Sequence, residues 1–207
     1  CATKQSLPQY AHSSKKVVVG HGIDLQYWHR RTNVATNSTH LLVVHRLSRS
    51  KRLELSIQAI SMLPSRYTLD IYGIEAEQDY AEEMKSLVRS LQLSHRVYFH
   101  HSIPAKDLPD IYVKHRFILN MASETIDKTM LEALTCGCYP ITTSRNAQAI
   151  GIPAAPAEDD PRFIADFIER YVRSMPMSST AMFDVVKEHH SLERLIEKMD
   201  HYISRGV

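Results

Sequence analysis

No apolar run in these 207 residues approaches the ~20 that a helix needs to cross a bilayer, which excludes a helical membrane span. The first residues also lack the charged, apolar and small-residue order of a secretory signal. No charge dominates: 25 Lys+Arg against 23 Asp+Glu leave +2, and the basic residues are scattered. The electrostatic footprint of a nucleic-acid binder is therefore missing. There are three cysteines, Cys1, Cys136 and Cys138, an odd number without a CxxC pair and with a C-x-C spacing too short for a relaxed bridge. Free thiols in a reducing, cytoplasmic compartment are expected, and no metal. Cys1 in place of Met points to a chain cut from a longer one. Repeats and low-complexity tracts are absent, and 43% hydrophobic residues exclude intrinsic disorder.

What is present is an alternation. Short apolar runs rich in β-branched residues predict strands at Lys15–Val19, Leu41–Leu47, Thr68–Tyr72, Val97–His100, Phe117–Asn120 and Tyr139–Thr142. Apolar residues at helical spacing predict helices from Leu53 to Met62 and from Tyr80 to Leu91. Lys128–Thr135 reads as a short helix closed by Gly137. After a loop at 153–160, Asp160-Pro161 opens a new helix, and two or three helices finish the chain. This order predicts an α/β fold, a doubly wound, Rossmann-like parallel sheet of about six strands with C-terminal helices, whose ligands sit at the carboxyl ends of the strands.

Several motifs fail their context. Gly20-His21-Gly22 imitates the opening of a dinucleotide fingerprint, but Leu25 stands where its third glycine belongs and no helix opens there. It reads better as a hinge or turn. Twelve histidines invite a metal, yet the adjacent pair His100-His101 points to opposite faces of a strand. No G-x-S-x-G elbow is present. Two constellations survive. The run from His45 to Arg52 sets several cations where a strand meets the following helix, against that helix's dipole, and an anionic ligand would explain them. Glu124 and Glu132 flank a helix start whose free N–H groups face the same place. Together they describe a pocket for a phosphate-bearing, hydroxyl-rich molecule. A glycoside hydrolase using the two carboxylates as acid and base is the weaker reading, because such pairs usually come from distinct strands.

Four stretches in matching order resemble the donor half of retaining, glycogen-synthase-like family-4 glycosyltransferases, which place two Rossmann-like domains across a cleft (the GT-B architecture). Val19-Gly20-His21-Gly22-Ile23-Asp24 is like the interdomain "NGVD" segment, and Val44-His45-Arg46-Leu47-Ser48 through Lys51 like "GRL…K". Arg96-Val97-Tyr98-Phe99 is like "RVxF", and Glu124 through Gly137 like "E-x7-E-A-M-A-x-G". The resemblance covers about residues 15 to 145.

It implies that Arg46 and Lys51 hold the diphosphate of a nucleotide-diphospho-sugar, that Glu132 accepts hydrogen bonds from the ribose hydroxyls, and that Glu124 faces the transferred sugar. Arg46, Lys51 and Glu124 would be the catalytic set. Ser102 and Ile103 would lie at the base, with Lys128 and Thr129 at the helix start also binding donor. Neither metal nor other cofactor is expected. The implied organisation is a tail or linker at 1–14, a nucleotide-sugar domain at 15–160 and C-terminal helices at 161–207, packed on it or on an N-terminal domain. That domain would bring a glycan or lipid-linked acceptor and any peripheral contact with the inner face of the membrane. The fragment alone would bind donor and scarcely transfer it. The alternative is an α/β nucleotide-binding or regulatory module without chemistry.

The departures from the pattern also predict. Thr125-Ile126-Asp127 replaces Gly-Phe-Gly, so an Asp would cancel a cation unless Asp127 turns away or pairs with Lys128. His45 replaces a glycine, and Gly73-Ile74-Glu75 lacks a second one.

Overall fold

The computed structural model describes residues 17, 19–29, 37–123 and 126–204. Strands and helices alternate as the sequence pattern requires. They run β1 (Asn37–Val44), α1 (Leu53–Met62), β2 (Thr68–Tyr72), α2 (Gln78–Ser90), β3 (Val97–His100), α3 (Leu108–Tyr112), β4 (His115–Leu119), α4 (Lys128–Thr135) and β5 (Tyr139–Ile141). Four helices follow: α5 (Ser144–Ile150), α6 (Pro161–Tyr171), α7 (Ser179–His189) and α8 (Leu192–Ser204).

All strand pairs are parallel, in the order β3-β2-β1-β4-β5. The middle strand, β1, pairs Leu41 with Leu69 on one side and with Phe117 on the other. Its Leu41, Leu42 and Val43 are fully buried, as expected of a parallel strand covered on both faces. The helices supply that cover: α1 packs against α2 and α6, and α4 against α7. Chain order reverses between β1 and β4, so the loops leaving their carboxyl ends part there and open a crevice.

Among the described residues the sheet has five strands rather than six. Of the expected first strand, Val17 and Val19 adopt no strand, and Lys15, Lys16 and Val18 lie outside the described residues. The backbone just beyond it pairs elsewhere. Ile23 donates to the His190 carbonyl at 2.8 Å and accepts from Leu192 at 2.9 Å, tying this segment to the link between α7 and α8.

Local chemistry ends the elements where the sequence places its signals. Asp160 caps α6 by accepting from the Arg162 N–H, with Pro161 in the first turn. Gly137, at φ +82°, closes α4. Its N–H bonds the Leu134 carbonyl and that of Cys138 bonds Ala133, the paired bonds of a Schellman cap. Gly73 answers a different need. A Cβ there would lie 2.0 Å from the His45 carbonyl oxygen, so only glycine lets the ends of β1 and β2 meet.

At the amino edge of the sheet, Arg96 is buried and donates to the carbonyls of Ile60, Leu63, Pro64 and Tyr67 at 2.9–3.0 Å. It gathers the carboxyl end of α1 and the turn into β2 on one cation, where the helix dipole favours positive charge.

Candidate functional site

The loop leaving β1 carries the cations. His45 is buried, and its Nδ1 contacts the Arg46 carbonyl at 2.9 Å. Burial pushes its imidazole down to about 4, against the opposite pull of that carbonyl and of Asp127, so it is neutral at pH 7. Arg46 is exposed and makes no ion pair among the described residues. Lys51 ends a single 3-10 turn over Arg49–Lys51, with its side chain only 9% exposed. The next residue, Arg52, has φ 49° and ψ 48°, the left-handed conformation that side chains other than glycine's adopt at a cost.

The loop leaving β4 faces this one. Asp127, the residue before α4, makes no capping hydrogen bond to its own helix. Both of its oxygens instead accept from Lys51 Nζ, at 2.6 and 2.7 Å. Oδ2 accepts a third bond from Asn120 Nδ2 at 2.7 Å, and Asn120 Oδ1 is itself fixed by the Ala122 N–H. This corrects the expectation that Asp127 turns away or pairs with Lys128. Lys51 is the nearer buried ammonium and has the greater need of a counter-charge, whereas Lys128 is exposed to water.

Arg52 binds the two loops together: Nε donates to the Met121 carbonyl at 2.6 Å and Nη2 to Asp159 at 2.8 Å. Beyond it an open cleft of about 510 Å³ is lined by Ser123, Thr143, Ser144, Arg145, Ala157, Glu158 and Asp159.

Along α4, Thr129 has a buried hydroxyl without a hydrogen-bond partner among the described residues, one turn before Glu132. Glu132 is half-buried, with a long 3.5 Å contact from the hydroxyl of Tyr112. Burial pushes its carboxyl up to about 7, while Lys128 and Tyr112 pull the other way. The segment 20–29 runs alongside. His21 Nε2 lies 2.8 Å from the Ile126 carbonyl, Trp28 packs on Tyr112 and the Cys136 thiol reaches the His29 carbonyl. The Gly20-His21-Gly22 turn therefore delivers an imidazole to the start of α4, and burial keeps that group below its ordinary range.

The structure thus brings Lys51, Lys128, Thr129 and Glu132 around α4 and Arg46 to the neighbouring loop. Ser102, exposed, and Ile103, half-buried, sit in the loop leaving β3, two strands from β1 and three from β4. Glu124 lies outside the described residues, as does Thr125. The sequence reading missed Asn120, Arg52, Tyr112 and His21. Asn120 was visible as a polar residue ending an apolar strand, and Arg52 within the cation run. His21 stood in the Gly20-His21-Gly22 turn but without a role, and Tyr112 carried no local signal, because the meeting of both with α4 is a product of tertiary packing.

The family model for glycosyl transferases group 1 matches residues 26–150, more than half of the chain. No curated protein sequence matches it significantly. The fold is similar to that of Anabaena HepE, solved in complex with UDP and glucose, at a TM-score of 0.79 and 17% identity over 91% of this chain and 57% of that one. Sucrose-phosphate synthase from Thermosynechococcus elongatus gives 0.77 and 17% over 91% and 52%. The C-terminal domain of LpcC, a group 1 family protein from Francisella tularensis, gives 0.70 and 16% over 83% of this chain and 100% of that one. The chain spans little more than half the length of the first two.

Proposed function

The chain belongs to the glycosyl transferases group 1 family, and on that premise we propose that it is the donor-binding half of a retaining, family-4 transferase of GT-B architecture. In this reading a sugar passes from a nucleotide-diphospho-sugar to a glycan or lipid-linked acceptor, and a second domain of the parent protein presents that acceptor. The observation that carries it is the meeting, at the crevice between β1 and β4, of the cationic loop 45–52 with the start of α4. Breaking the glycosidic bond leaves negative charge on the departing diphosphate. Arg46, Lys51 and the N–H groups that open α4 are fixed charges and dipoles aimed at that product, which lowers the barrier without metal. Glu132, ionised, accepts from the ribose hydroxyls. Glu124 faces the transferred sugar, and Ser102 and Ile103 border the base. Residues 15–160 form the nucleotide-sugar unit and 161–207 the helices that finish it.

Calorimetric titration with UDP, GDP and ADP tests the reading. Saturable binding of one nucleotide, weakened about tenfold or more by Arg46→Ala, is expected, since one lost charge-assisted contact is worth about 1.5–3 kcal/mol. Absence of binding by all three, both to this chain and to the parent protein, would sink it.

A further inference from the structure

The cation that a diphosphate needs already has an anion of its own. Lys51 gives two hydrogen bonds to one carboxylate and keeps 9% of its side chain exposed. That carboxylate is held from a second direction by Asn120, on the end of β4. The arrangement is built rather than incidental, for the bond that Asp127 forgoes is the capping of its own helix, the usual use of an Asp at that position. A carboxylate with its two oxygens on one ammonium presents to Lys51 the same chemistry as two oxygens of a phosphate.

We propose that Asp127 is an affinity-setting residue that competes with the donor's diphosphate for Lys51. The proposal rests on the donor-site reading above. An incoming diphosphate must displace the carboxylate from Lys51 or share the ammonium with it, and Asn120 keeps the displaced group close. After transfer, when the free nucleotide diphosphate remains, the same carboxylate returns to Lys51 and drives the product out. Asp127 thereby trades donor affinity for turnover, since product release is the slow step of many enzymes. Lys51, meanwhile, is never left as a lone buried charge, and its side chain is held in place before donor arrives.

The test is titration of the chain with UDP, GDP, ADP and inorganic pyrophosphate, using wild type, Asp127→Asn, Asp127→Ser, Asp127→Asn with Lys51→Met, and Arg46→Ala. Asp127→Asn keeps the shape and an acceptor for Asn120 while removing the charge. It should tighten binding about tenfold, with the gain appearing as slower dissociation in stopped-flow displacement. Adding Lys51→Met should abolish that gain. Thermal melts of each variant identify any that fails to fold, and Asp127→Ser then supplies the reading. Unchanged or weaker binding in a folded Asp127 variant overturns the proposal, and so does a gain that survives the loss of Lys51. The donor-site reading stands independently on wild-type binding that Arg46→Ala weakens. If neither wild type nor variants bind any of the four probes, both fall.

Discussion

Two cations are buried at opposite edges of the same sheet, Arg96 at 7% exposure and Lys51 at 8%, and they are satisfied in different ways. Arg96 meets four neutral carbonyls, all from the end of α1 and the turn that follows it. No counter-ion among the described residues balances it, and no ligand is needed, since the guanidinium's donors are spent on buried backbone carbonyls. Lys51 meets one carboxylate and one further side chain holds that carboxylate, so its partner is mobile in principle and replaceable by any similar anion. A cation bound by main chain is architecture. A cation bound by a side-chain anion at a crevice is a site with a resident occupant.

The largest expected effect breaks the architectural half of that comparison. Arg96→Ala removes four hydrogen bonds from a charged donor to carbonyls around the carboxyl end of α1, of which those of Ile60 and Pro64 keep a backbone donor, from Leu63 and Tyr67. A loss of about 4 kcal/mol in unfolding free energy is expected from chemical denaturation, the range in which buried networks fail. Nucleotide affinity, measured at a temperature where the variant stays folded, should match wild type. Weakened binding at equal foldedness would show that the two edges are coupled and the contrast false.

The next effect separates the stability of the site from its use. Glu132 titrates near 7 in the folded chain against an ordinary 4.5, because burial disfavours its charge. Folding therefore takes up a proton between those values. Its contribution to stability is fully present below about pH 4.5 and is lost as pH rises through about 7, on the order of 3 kcal/mol. His45, pushed from 6.5 down to about 4, acts in the opposite sense: its contribution is present above 6.5 and lost as pH falls through about 4. The two oppose each other across the shared window, and His21 and His190, also held below their ordinary range by burial, add to the loss on the acid side. Glu132→Gln should unmask the acid loss due to these histidines in urea melts from pH 4.5 to 8. Donor affinity behaves differently on the proposed reading, in which only the ionised carboxylate accepts from both ribose hydroxyls. Wild-type affinity should fall below pH 7 and that of Glu132→Gln should not vary with pH. A parallel pH dependence of both proteins would remove Glu132 from the ribose.

Much of this contrast was legible in the chain itself. The strands Thr68–Tyr72 and Val97–His100 and the helices Leu53–Met62 and Lys128–Thr135 stand where periodicity sets them, because each combines an apolar pattern with a terminating signal. The cationic loop and the start of α4 also meet as their places after β1 and β4 require. Pattern alone could not separate Val17 and Val19 from a sixth strand. An apolar run is equally content against helices, and here Ile23 fixes the segment to the α7–α8 link. Nor could spacing decide the partner of Asp127. Its sequence neighbour Lys128 is nearer along the chain, but Lys51, 76 residues away, is the ammonium that burial deprives of water.

Arg52 lies between the two extremes and gives the smallest effect. It bonds a carbonyl, like Arg96, and a carboxylate, like Lys51, yet its side chain is 25% exposed and its backbone sits at φ 49°. Arg52→Gly would relieve about 1 kcal/mol of left-handed strain. It would forfeit a part-exposed ion pair and one hydrogen bond of similar total worth, so thermal stability should change by less than about 1 kcal/mol. The lost contacts hold the loop after β1 against the loop after β4, at Met121, and against the loop before α6, at Asp159. UDP affinity should therefore fall several-fold although the fold does not weaken, a pattern that a purely architectural cation cannot produce. If stability drops as for Arg96 while binding per folded molecule is unchanged, Arg52 belongs with the frame. If binding weakens with the melting temperature intact, the rigid separation of the two loops is itself part of what the donor recognises.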